Sequence, residues 1–177
     1  MNHNVKKALR AMACGAGGAT ILLTLAGGCT GYRVGSTLPP GVRSIYVPAI
    51  INQCGEPQAE LEATRATIQE FQKDGNLWIR PEDQADAVLK VTLVKYSLEP
   101  LRFDRNSGKT AQEYRVILSA QYTLAYKKSG QVLNGKKVQG DATFEFSGDL
   151  TSARARALPL AAQNLAQNLV DSVVSYW

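Results

Sequence analysis

The sequence predicts an α+β fold: a two-layer sandwich with two helices packed on one face of a four-stranded mixed sheet, in the order β-α-β-β-β-α. Segments 43–50, 87–96, 114–126 and 138–146 alternate apolar with polar side chains, the pattern of strands that bury one face. Segments 56–73 and 151–176 instead repeat apolar residues at spacings of three and four, giving each a single apolar stripe. One stripe per helix and one face per strand close into two layers around one core.

Each element has its own signature. In Arg43–Ile50, Ile45, Val47 and Ala49 alternate with Ser44, Tyr46 and Pro48, and Pro48, lacking an amide donor, places this strand at an edge or an end. Glu56–Lys73 carries Leu61, Thr64, Ile68 and Phe71 on its predicted buried stripe, with Glu56 and Glu60 near its start and Gly75 as its stop. Trp78-Ile79 reads as a short edge segment before Pro81. Ala87–Tyr96 turns Ala87, Leu89, Val91 and Leu93 inward. Tyr114–Tyr126 does the same with Tyr114, Val116, Leu118, Ala120, Tyr122 and Leu124. Their outward side chains, Lys90, Thr92, Arg115, Ser119, Gln121 and Thr123, form a polar face. Lys127–Gly130 is a turn, Val132-Leu133 begins the return, and Val138, Ala142, Phe144 and Phe146 face in. In Thr151–Tyr176 the stripe is Leu158, Ala162, Leu165, Leu169 and Val173, and Pro159 marks either a kink or the proper start of the helix. A helical crossover between the first two strands makes them parallel.

The first 28 residues read differently. Lys6, Lys7 and Arg10 precede the uncharged stretch Ala11–Leu25, which ends at Ala26-Gly27-Gly28 and Cys29. A charged start, an apolar middle and small residues before a cysteine have the layout of an export signal cut ahead of Cys29, whose thiol would then be lipidated. Ala26 stands where leucine is usual in such signals, and Leu25 lies one step early. The competing reading is a membrane anchor, but the stretch is glycine-rich and short against the ~20 residues of a bilayer span. The expected organisation is thus a signal over 1–28, a lipidated tether over 29–42 rich in Gly and Pro, and one domain over 43–177.

Removing residues 1–28 of the 177 leaves 149, enough for one core, and removes the only histidine, His3. Ser-His-Asp and Cys-His catalysis and histidine-containing metal sites go with it. Cys14 is lost, Cys29 is acylated, and Cys54 is left as a lone thiol. No cofactor, metal or nucleic acid is expected. Of the net charge of +5, three positive charges lie in the signal. Between Lys95 and Lys137, nine basic and three acidic side chains leave a local surplus of six, whereas the rest of the chain after residue 28 has eight basic and twelve acidic ones. That polarity fits an anionic partner, or simply a solvated strand-and-loop surface.

Four stretches carry a resemblance to a known family. They are Cys29-Thr30-Gly31-Tyr32-Arg33-Val34; Leu38-Pro39-Pro40-Gly41 leading into Ile45-Tyr46-Val47-Pro48; Ala85–Leu89 running on to Tyr96–Leu101; and Gly108–Val116. In this order and spacing they resemble the lipopolysaccharide-assembly lipoproteins, LptE. The resemblance implies a non-enzymatic protein on the periplasmic side of the outer membrane, held there by its N-terminal lipid. Such a protein helps the LptD β-barrel assemble, plugs it, and engages lipopolysaccharide in transit. By the same resemblance Arg105, before the third strand, and Lys137, at the start of the fourth, would meet lipopolysaccharide phosphates, with Arg102, Lys109, Lys128 and Lys136 supporting. Two other readings stand beside it. One is a lipoprotein adaptor that activates cell-wall synthesis. The other is a hydrolase using Asp83 and Asp86, which lie in a polar turn after Pro81 where capping or solvation is the competing role.

Overall fold

The alternating segments are strands of one six-stranded mixed sheet. The computed structural model describes residues 41–103, 111–146 and 148–175, all within the unit Ser36–Trp177. Cys29 and the signal lie outside the described residues. Strand β1 is Ser44–Tyr46 and β2 is Ile51–Asn52; helix α1 is Ala59–Asp74; β3 is Trp78–Ile79. A 3-10 turn, Glu82–Gln84, leads to the long strands β4 (Ala87–Phe103), β5 (Ala111–Tyr126) and β6 (Val132–Glu145), and α2 spans Leu150–Val174.

The order across the sheet is β3-β1-β4-β5-β6, with β2 also beside β4. The parallel crossover is present: Ile45 pairs with Ala87 and Ile51 with Thr92. The count of four strands is corrected to six. The first predicted strand is two short ones, because ladder pairing lapses around Pro48, which has no N–H to give. Trp78-Ile79, the predicted edge segment, is a true edge strand paired with Ser44 and Ile45. The antiparallel ladder β4-β5-β6 outruns the predicted strands, from Ala87↔Tyr126 to Phe103↔Ala111, with irregularities between Leu93 and Lys95 and after Pro100. At about 3.4 Å per residue it is some ~50 Å long.

Helix α1 starts later than predicted and presents a different face. Its buried residues are Ala59, Ala63, Thr67 and Phe71, while Leu61 is 63% exposed. Ile68 is half-buried against the core, and Thr64 accepts from the Ile50 amide at 3.0 Å. The buried stripe is small because α1 lies against α2, and alanines let two helices approach closely. Gly75 ends α1 as expected, at φ 75° with its N–H bonded to the Phe71 carbonyl.

Helix α2 buries the predicted stripe of Leu158, Ala162, Leu165, Leu169 and Val173. The Asp149 side chain caps it by accepting from the amides of Thr151 and Ser152, and hydrogen bonding by Ser152 lowers the pKa of that carboxyl. The helix runs through Pro159, which sits on its exposed side. One core joins Phe71, Leu89, Leu93, Leu118, Leu124, Leu165 and Leu169, so both helices cover the same sheet face.

The edge strand β6 is covered by α2. Asn164 Oδ1 accepts from the Asp141 amide at 3.1 Å, and Asn168 Nδ2 donates to the Gln139 carbonyl at 2.7 Å. Backbone groups that would template another strand are thereby occupied. Further along, buried Asn134 donates to the Tyr122 hydroxyl and the Ser172 carbonyl, tying β5, β6 and α2 together.

Candidate functional site

Strand alternation puts the polar residues on the face away from the helices. Thr92, Gln121 and Lys137 lie side by side across β4, β5 and β6, and Lys90 lies beside Thr123. Lys90, Gln121 and Lys137 are exposed. Ser119, predicted to face out, is on this face yet buried, because the Gln139 side chain crosses over it and donates to its hydroxyl at 3.2 Å.

The cations picked out by sequence do not converge on one place. Arg105 and Lys109 belong to the connection between β4 and β5 and lie outside the described residues. Arg102, one step from that connection, is exposed but sits between two carboxylates: Nε is 3.9 Å from Glu113 Oε2 and Nη2 is 3.7 Å from Glu145 Oε1. Lys128 lies in the β5–β6 turn, at the opposite end of the ladder and some ~50 Å away. Lys136 and Lys137 are consecutive, so they face opposite sides of β6, against Tyr122 and Gln121 respectively. Lys137 is within β6 rather than at its start, since the strand begins at Val132. Eight residues separate it from Glu145, about 25 Å along the strand.

Sequence reasoning missed an apolar end to the hairpin. Leu101 is 40% and Phe103 51% exposed. On the helix side of the same end, the Tyr114 ring stacks on Phe144 at 5.7 Å and meets Phe146 edge-on at 6.2 Å. The signal was Leu98, Leu101 and Phe103 beyond Tyr96, where bulges break the alternation.

Of the two carboxylates Asp83 and Asp86, one is committed to structure. Asp83 is exposed on the 3-10 turn. Asp86 Oδ2 accepts from the Ser44 hydroxyl at 2.7 Å and from the amides of Ser44 and Arg43 at 3.0 and 3.1 Å, fastening β1 to the head of β4. The Ser44 hydroxyl, then the Arg43 amide, hold its pKa below the ordinary carboxylate value. A lowered folded pKa contributes stability above the unfolded value of about 3.9, lost as pH falls through the folded one. Asp86→Ala is therefore expected to lose about 1 kcal/mol at pH 7, discounted for exposure. Urea denaturation at a series of pH values below 7 checks it, the gap between the two proteins narrowing once the pH falls below the unfolded value.

Where the helices meet, a groove of about 380 Å³ is lined by Glu56, Gln58, Glu62, Arg154 and Pro159. Its chief charge is neutralised. Arg154 Nη2 is 2.7 Å from Glu56 Oε2, Nε donates to the Tyr96 hydroxyl at 3.3 Å, and the guanidinium lies 5.3 Å from the Tyr96 ring centroid. The Tyr96 bond, aided by Glu56, raises the arginine pKa. Among the described residues no cluster of three or more metal-binding side chains occurs.

The fold is thus an α+β sandwich with an open polar sheet face and a long hairpin that ends in apolar side chains. The chain belongs to the LptE lipopolysaccharide-assembly family, which it matches over residues 42–175. No curated protein sequence matches it significantly. Among solved structures it is similar to uncharacterized lipoprotein B of Nitrosomonas europaea, with TM-score 0.52 and 10% identity over 78% of this chain and 85% of that one. It is also similar to protein XCC0632 of Xanthomonas campestris, with TM-score 0.51 and 13% identity over 78% of this chain and 91% of that one. At such identities the likeness concerns the fold.

Proposed function

We propose that this chain is an outer-membrane lipoprotein, anchored through Cys29 on the periplasmic side. It assists assembly of an LptD-like β-barrel, plugs it, and binds lipopolysaccharide bound for the outer leaflet. The family match across residues 42–175 carries this reading. The physical chemistry supports it in two ways. A sheet face lined by Lys90, Thr92, Gln121, Thr123 and Lys137 suits the wet, polar lumen of a large barrel. Arginine also makes bidentate, charge-assisted hydrogen bonds to phosphate, and Arg105 stands in the hairpin connection flanked by Arg102 and Lys109. Lys137, on the open face, is the second contact in this scheme. Lys128 and Lys136, distant from the hairpin end, act as peripheral charges.

Affinity purification from outer membranes with mass spectrometry tests the reading. A barrel partner and lipopolysaccharide should remain bound; a peptidoglycan synthase in their place would favour the cell-wall adaptor. Arg105→Glu is expected to weaken lipopolysaccharide binding about tenfold, one charge-assisted bond's worth, with an unchanged melting temperature. Equal binding by the variant at low salt, where charge contacts are strongest, would remove Arg105 from the site.

A further inference from the structure

The open sheet face bears a second patch, on the side of β3, β1 and β2, which borders the polar face at Lys90. Register places Trp78 beside Ser44, Tyr46 beside Val88, and Ile51 beside Thr92, all on the face turned from the helices. Trp78 is 61% and Ile51 57% exposed, two large apolar side chains at either end of the strip. The Arg80 guanidinium lies 5.7 Å from the Trp78 ring centroid, and exposed Lys90 stands between Val88 and Thr92. None of the ion pairs among the described residues involves Arg80 or Lys90. The acid beside the strip, Asp86, has one carboxylate oxygen taken up by the Ser44 hydroxyl and the Ser44 and Arg43 amides, and Glu82 and Asp83 lie beyond Pro81 on the 3-10 turn.

We propose that this strip, Trp78, Arg80, Tyr46 and Ile51, rests on the headgroup layer of an anionic phospholipid bilayer. Tryptophan and tyrosine prefer the membrane interface, where an apolar body and a polar edge are both satisfied. Arginine and lysine beside them meet lipid phosphates. The course of the chain fits this occupant. Ser44, the partner of Trp78, is three residues past Gly41, and residues 29–40 precede it. A lipid on Cys29 would therefore hold the patch within about 50 Å of the bilayer at full extension of the tether. That argument rests on the anchor in the proposed function; the patch itself is tested separately from it.

Trp78 and Trp177 are the two tryptophans of the chain, so Trp177→Phe makes Trp78 the sole indole fluorophore. The full chain carrying that change is mixed with vesicles of phosphatidylglycerol and phosphatidylethanolamine. Flotation in high salt reports the anchor, and Trp78 emission reports the patch. The expected result is a blue shift and about twofold quenching by brominated acyl chains, as for an interfacial indole. Arg80→Glu and Ile51→Asp, each at an exposed position, should reduce both signals while circular dichroism stays unchanged. Flotation with unaltered Trp78 emission would overturn the patch and keep the anchor. Failed flotation with quenched Trp78 would do the reverse. A shift without vesicles that grows with protein concentration would assign the patch to a second copy of the chain, and the membrane proposal would fall.

Discussion

Gly140→Ala is expected to destabilise the protein by about 3 kcal/mol, at the upper end of the cost of overpacking a core. A β-carbon on Gly140 would stand 2.1 Å from the Leu165 nitrogen, 2.4 Å from its α-carbon and 2.6 Å from the Ala161 carbonyl oxygen. All three are backbone atoms of α2, so no side chain can turn aside. Relief requires lifting the helix from β6, yet Asn164 and Asn168 bond the strand on either side of Gly140. Lifting would expose the edge those asparagines cover and loosen Leu165 in the core. The denaturant midpoint checks this, and a midpoint equal to wild type would mean that α2 does not sit so close to β6.

That contact marks where the sequence stopped being informative. The long strands and α2 were legible because burial and periodicity agree: Leu89, Val91 and Leu93, or Leu165, Leu169 and Val173, are large and evenly spaced. Gly140 gave only a glycine within a strand. The predicted face of α1 departs from the observed one at Leu61, because the buried stripe is mostly small and Leu61 outweighs Ala59 and Ala63 in the periodicity. The two-residue strands β2 and β3 are too short for alternation to register.

The candidate site was legible as residue types and not as a place. The positive surplus between Lys95 and Lys137 is real in sequence, but folding distributes it along the ladder. At the hairpin end Arg102 meets Glu113 and Glu145, and Arg115 Nε lies 3.6 Å from Asp141. These carboxylates come from other strands, so only the register reveals them. Lys90 and Lys137 remain on the open face with no ion pair among the described residues. Under the proposed function an anionic ligand would have two landing points, the 104–110 connection and the lysine-bearing sheet face; the composition fits a solvated surface equally.

Phe71→Ala should cost about 4 kcal/mol, whereas Leu61→Ala should change stability by less than about 0.5 kcal/mol. The two residues lie on the same helix, and from sequence both belonged to its buried stripe. The structure separates them: Phe71 is 0% and Leu61 63% exposed. Phe71 closes the C-terminal end of α1, where its carbonyl receives the Gly75 amide and its ring joins the core beside Leu77. Truncation removes the ring's transfer free energy and leaves a cavity between α1 and the sheet that neighbouring small side chains cannot fill. Leu61 loses only contacts that water already shares. Paired denaturant titrations decide the phase of α1: comparable losses in the two variants would mean the helix is rotated to bury Leu61.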